Sequence, residues 1–131
     1  KLLDWVDANL RQIRSEPRPI SALEILDQGE GDCTEHAILF SALAQSVGIP
    51  TKMVLGLVYT DAGYAYHAWN DVYVGEWVQM DPSWGLYTRG AGHLQLAGGP
   101  VNRESMIREN VKTGKTIGTL FLQFADDSTQ E

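Results

Sequence analysis

Apolar residues in "KLLDWVDANLRQI" recur at Leu3, Val6, Leu10 and Ile13, the spacing of one helix face, and the two prolines of "SEPRP" end that pattern. A short second helix is predicted from Ser21, where Ser21 and Glu24 form a capping-box pattern ahead of Ile25 and Leu26, and it ends by Gly29 and Gly31. The third helix is predicted from Cys33 to Val47, with Asp32 as N-cap, Glu35 at its third position and "GIP" as its stop. Its apolar side is Ile38, Leu39, Leu43 and Val47. Strand patterns follow in "TKMVLGLVYT", "YHAWNDVYV" and "EWVQM", separated by turn signals at "DAG" and around Gly75. "DPSWGLYTRGAGHLQLAGGP" reads as Gly-rich loop with one helical turn, "KTIGTLFLQF" as a last strand, and residues 126–131 as a frayed tail. Helices first and strands after make an α+β chain. Neither a repeat nor a linker divides it, so residues 1–131 read as a single domain.

Composition removes several classes of function. The chain has 131 residues and 44% hydrophobic content, enough for one real core. A formal charge of -7 argues against nucleic acid or an anionic membrane surface as partner, since both need clustered Lys and Arg. The longest nearly continuous apolar stretch, Ala37 to Ala44, is far short of a membrane span. The chain begins at Lys1 without an initiator methionine or a signal-like segment, which reads as an excised domain or a processed product. A single cysteine can form neither an internal disulfide nor a Cys-rich zinc site.

That cysteine, Cys33, opens a helix and is crowded by Asp32, Glu35 and His36. A helix start leaves N–H groups and a positive dipole end that stabilise a thiolate, and an oxyanion formed beside it. The other reading is a buried cysteine acting as a small hydrophobe. A nucleophile needs a base and the base an orienting group. Of the three histidines, His36 lies one turn beyond Cys33 and reads as a cap or solvent contact, and His93 sits in the Gly-rich segment without a patterned neighbour. His67 opens "HAWNDVYV", in which His67, Trp69, Asp71 and Tyr73 share a face. If Val74, Gly75 and Glu76 make a three-residue hairpin loop, Tyr73 faces Trp77, Asp71 faces Gln79 and Trp69 faces Asp81. His67 and Asp81 are then diagonal neighbours, roughly 7–8 Å apart between backbones, within reach of a side-chain hydrogen bond. A two-residue loop places them on opposite faces.

In the order Cys, His, Asp, the segments "GDCTEHA", "YHAW" and "QMDPSW" resemble the transglutaminase-like superfamily of the papain-like clan. The resemblance covers Ala22 to Asp81 and extends loosely to "HLQLAGG". It implies a papain-like/transglutaminase-like fold with the nucleophile helix packed on an antiparallel sheet. It implies a Cys-His-Asp triad: Cys33 as nucleophile, His67 as base and then acid, and Asp81 as the orienter of His67. The expected activity is cysteine-dependent acyl transfer on amides through a thioester, with hydrolysis of peptide, isopeptide or glutaminyl amides ahead of crosslinking. A protein or peptide substrate is expected, with neither cofactor nor metal, in an exported or larger bacterial protein. The Cys33 N–H is one expected oxyanion donor. The family's second donor, a Trp or a Gln upstream of the cysteine, has Trp5 and Gln28 as candidates, Trp5 being read first as a core residue of its helix. Tyr66, Trp69 and Trp84 flank the triad and are expected to wall a substrate cleft. Two rival readings are a metal site of Cys33, His36 and His67, and a non-catalytic interaction domain on the same fold.

Overall fold

The computed structural model describes residues 1–14, 20–88, 92–100 and 102–117. In chain order the elements are α1 (Leu2–Asn9), β1 (Arg11–Gln12), α2 (Ala22–Gln28), β2 (Glu30–Gly31), α3 (Cys33–Ser46), β3 (Thr51–Thr60), β4 (Gly63–Tyr73), β5 (Trp77–Asp81), β6 (Leu86–Thr88), β7 (His93–Gly99) and α4 (Arg103–Ile117). The last five strands form one antiparallel sheet in the order β6-β5-β4-β3-β7. This is the α+β arrangement expected, with the helix that begins at Cys33 laid on the sheet.

The alternation along β4 decides what lies on which side. Ala68 and Val72 join Met53, Leu55 and Met80 in the core beneath the helices, which contribute Leu3, Val6, Ile25, Ala37, Ile38 and Phe40. Asn70 sits on that same face and is fully buried. Its Nδ2 donates to the Ala37 carbonyl at 3.1 Å and to Ser41 Oγ at 2.8 Å, which fixes α3 along β4. The opposite parity, His67, Trp69, Asp71 and Tyr73, therefore belongs to the other face of the strand.

Gly56 makes room on that other face. It pairs with His67 across β3 and β4, and a Cβ there would lie 2.0 Å from the Leu94 carbonyl oxygen and 2.8 Å from Trp69 Cη2. The β3–β7 register also shifts between Leu55 and Gly56. Only a residue without a side chain lets the Trp69 ring and the β7 backbone converge over β3. Gly56→Ala should lower stability by about 1–3 kcal/mol, the usual cost of overpacking, as read by chemical denaturation. An unchanged midpoint would show that β7 does not close on β3 in solution.

Several expectations are corrected. The first helix is shorter than its apolar spacing suggested. Leu10 is an extended C-cap, and Arg11 and Gln12 pair in parallel with Glu30 and Gly31, reinforced by an Arg11–Glu30 ion pair. Leu10 stays buried, so the hydrophobic period runs on while the backbone leaves the helix. Val47, placed on the apolar side of α3, is 64% exposed as its C-cap, and Trp5 is 42% exposed rather than a core residue. The Gly-rich segment is more than loop: after a turn in which the Trp84 N–H donates to the Asp81 carbonyl at 3.4 Å, it holds two strands, β6 and β7. Lys115 to Ile117, read as the start of a last strand, end α4. The "SEPRP" break, the rest of "KTIGTLFLQF" from 118 on and the expected tail lie outside the described residues.

Candidate active site

Cys33 is the first residue of α3, and its position is set by the cap before it. Asp32 Oδ1 accepts from the Thr34 N–H at 2.8 Å, and Glu35 Oε2 accepts from the Asp32 N–H at 2.7 Å, completing the capping box read from the sequence. The cap engages Thr34 and Glu35 and does not include the Cys33 N–H. His36 is buried, with Nδ1 2.7 Å from the Asp32 carbonyl oxygen and Nε2 3.1 Å from that of Leu10. It ties α3 to the end of α1 and is neither a solvent contact nor turned toward Cys33. The metal set of Cys33, His36 and His67 is therefore not assembled.

The β4–β5 hairpin has the three-residue loop. Tyr73 pairs with Trp77 and Asp71 with Gln79, and the Val74 N–H donates to the Glu76 carbonyl at 2.9 Å around Gly75, whose φ of 96° suits glycine. That register puts His67 and Asp81 on one face, and His67 Nε2 lies 2.6 Å from Asp81 Oδ2. The ladder to β5 ends at the Asn70–Met80 pair, so His67 has no ladder partner on that side among the described residues. With Nε2 on Asp81, the ring keeps Nδ1 for its second partner. Cys33 lies close enough for its sulfur to act on the His67 ring.

Both residues are buried, His67 being 6% exposed and Asp81 0%. Burial alone pulls the His67 pKa down, but the bonds to Asp81 and Cys33 and their charges outweigh it, and the pKa is raised to about 9. The ring is thus an imidazolium at neutral pH. Burial likewise raises Asp81, yet the donors around it, His67 first, then His93 and Ser83, hold its carboxyl below the ordinary value. Tyr66 is 42% exposed, but desolvation of its phenol, then the charges at Cys33 and Asp32, push its pKa well up, so it stays a hydroxyl.

Of the three aromatics expected at the cleft, Trp84 stacks on His67 at 4.5 Å and 17° with 42% of its surface exposed. Tyr66 lies beside Cys33. Trp69 is fully buried, 6.1 Å from the His67 ring, so it is a support beneath the site and not a wall of a cleft. Its Nε1 has no hydrogen-bond partner among the described residues. Gln28, the other oxyanion candidate, ends α2 on the surface.

His93 was missed by the sequence reading. It opens β7, and its Nε2 lies 2.9 Å from the same Asp81 Oδ2, with its ring edge-on to Trp69 at 5.0 Å and 87°. The one signal was the alternation in "HLQL", masked by glycines on both sides. His67, Asp81 and His93 bring their ligand-type atoms within 4.8 Å of one another, the one such grouping among the described residues. The observed separations of 2.6 and 2.9 Å are hydrogen-bond lengths, shorter than the about 3.3 Å edge of a tetrahedron with zinc-like bonds. Two imidazoles also make a poor set for calcium, which takes oxygen. The cluster fits a shared proton network better than an ion.

A family model described as the transglutaminase-like superfamily matches residues 1–82, a span that ends just past Asp81. No curated protein matches the chain. Among solved structures, a candidate cysteine protease from Cytophaga hutchinsonii is similar with a TM-score of 0.64 and 24% identity, over 75% of this chain and 34% of that one. The present chain thus spans about a third of that protein. Legionella pneumophila LapG, in a calcium-bound form, is similar with a TM-score of 0.58 and 15% identity, over 88% of this chain and 78% of that one. At these identities the likeness is one of fold, the papain-like/transglutaminase-like fold.

Proposed function

The chain belongs to the transglutaminase-like superfamily, and from that premise we propose that it performs cysteine-dependent acyl transfer on amide bonds, with water as the main acceptor. The observation that carries this reading is the 2.6 Å hydrogen bond of His67 to buried Asp81, with Cys33 at a helix start close enough to act on the same ring. The Cytophaga hutchinsonii neighbour's name supports a protease-type reaction.

Cys33 as thiolate attacks the amide carbon, forming a C–S bond while the carbonyl oxygen takes the negative charge. The Cys33 N–H, left out of the cap, donates to that oxygen. His67 Nδ1 gives its proton to the leaving nitrogen as the C–N bond breaks, and the amine departs. His67, now neutral, takes a proton from water, whose oxygen attacks the thioester. Collapse releases the carboxylic acid and restores the thiolate–imidazolium pair. Asp81 stays ionised throughout and holds His67 in the tautomer with Nε2–H. Trp84, stacked on His67, and Tyr66, beside Cys33, are both half-exposed and are the groups to meet the substrate chain.

The choice of acceptor is tested with a casein-type protein and a labelled primary amine. Release of ammonia or peptide should outpace amine incorporation, and both should vanish in Cys33→Ala. Faster incorporation than release would make the domain a transamidase.

A further inference from the structure

We propose that His93 is a positioning residue of this site: its Nε2–H and that of His67 share one oxygen of Asp81, and His93 thereby fixes the carboxylate and sets how strongly it holds His67. The proposal rests on the acyl-transfer reading above. It starts from how completely Asp81 is satisfied. Oδ1 accepts from the Ser83 N–H at 3.1 Å and its hydroxyl at 2.8 Å, and Oδ2 accepts from His67 at 2.6 Å and His93 at 2.9 Å. A carboxylate offers about four acceptor positions, so this one has none to spare and cannot turn.

The two histidines come from different strands on either side of β3, His67 opposite Gly56 and His93 opposite Val58. The His93 ring is held edge-on between Trp69 and Trp84, at 5.0 and 5.9 Å. The groups facing His67 are Asp81 from the end of β5, Cys33 from α3 and His93 from β7, with Trp84 stacked on the ring. Of these, His93 touches neither the nucleophile nor a reacting atom. Its effect passes through Asp81. A second donor on Oδ2 draws off part of the carboxylate charge, and what His93 takes is lost to His67.

The test compares His93→Gln, whose amide nitrogen falls where Nε2 was, with His93→Asn, whose amide stops a bond short, and with His93→Phe, which has no donor. With three histidines in the chain, single substitutions assign each ring signal in a histidine NMR titration. In the Asn and Phe variants the His67 midpoint should move up by roughly half a unit, the effect of losing one shared donor, while Gln keeps the wild-type midpoint. Thermal unfolding is followed alongside, and either donor-free variant that folds suffices. A raised wild-type midpoint that the donor-free variants leave in place would overturn the role of His93 alone, as would a Gln variant that shifts as far as Asn. A wild-type His67 titrating at its ordinary 6.5 would mean that Asp81, His67 and Cys33 are not joined in solution, and the parent reading would fall with this one.

Discussion

Cys33→Ala should take amide turnover to background, and His67→Ala should lower it by at least roughly 10⁴-fold, the upper end of what a positioned acid–base group contributes. The cysteine supplies the only thiol in the chain, so no neighbour can replace the C–S bond it forms. On the proposed mechanism His67 is needed twice, as the acid that releases the amine and as the base that activates water. Removing it also removes the cation that faces the thiolate. The losses should not add: the double variant should be no worse than Cys33→Ala, because the two side chains act as one unit. Iodoacetamide gives a substrate-free check. At pH 7 it should modify Cys33 in the wild type and do so markedly more slowly in His67→Ala. Equal labelling of both proteins, folded by circular dichroism, would reject the nucleophile–base pair and favour an interaction domain on this fold.

What could be read from the sequence was what local chemistry dictates. Ser21/Glu24 and Asp32/Glu35 are capping boxes in the structure because each needs only residues three apart. Thr51–Thr60 was legible as a strand from its β-branched content, and the His67–Asp81 contact followed from one assumption about loop length, since a hairpin register fixes every pair beyond it. The papain-like arrangement was accessible for the same reason. The three residues the resemblance picks out, Cys33, His67 and Asp81, lie within local signals at a helix start, inside a strand and at a strand end.

The misses are tertiary. β1 and β2 are two residues each and exist only because Arg11 and Gln12 meet Glu30 and Gly31, a pairing with no local pattern. β7 is an edge strand held by β3, and its glycines read as loop because nothing local tells that Met53 and Val54 lie beside them. His93 was lost with it. Trp69 and Trp84 look alike as aromatics near His67 and Asp81, yet one is buried and the other half-open, a difference made by Gly56 and the turn after Pro82, not by the residue type.

Asp81→Asn should cut turnover by roughly 10²–10⁴-fold and move the alkaline limb of the pH–rate profile to lower pH. The sign follows from what holds His67 up. Its burial disfavours the charged ring, and the bond and charge of Asp81 lead the effects that bring the pKa to about 9. Without the charge, burial gains the upper hand, and His67 loses its proton within the neutral range instead of near 9. The amide nitrogen of Asn would also face one or both of the imidazole N–H groups that now share Oδ2, which favours the wrong tautomer for a base at Nδ1. The same linkage appears in stability. A histidine raised from 6.5 to about 9 contributes stability that is complete below about 6.5 and is lost as the pH rises through about 9. Denaturation midpoints of the wild type should therefore fall across that window, and those of Asp81→Asn should stay nearly flat, with about 1–3 kcal/mol lost at neutral pH to the unpaired donors. Ser83 adds little to this, since it can still donate to the Asn carbonyl. An Asp81→Asn protein with full turnover, beside an inactive His67→Ala, would leave a Cys–His dyad, and the buried carboxylate with its four donors would then serve the fold alone.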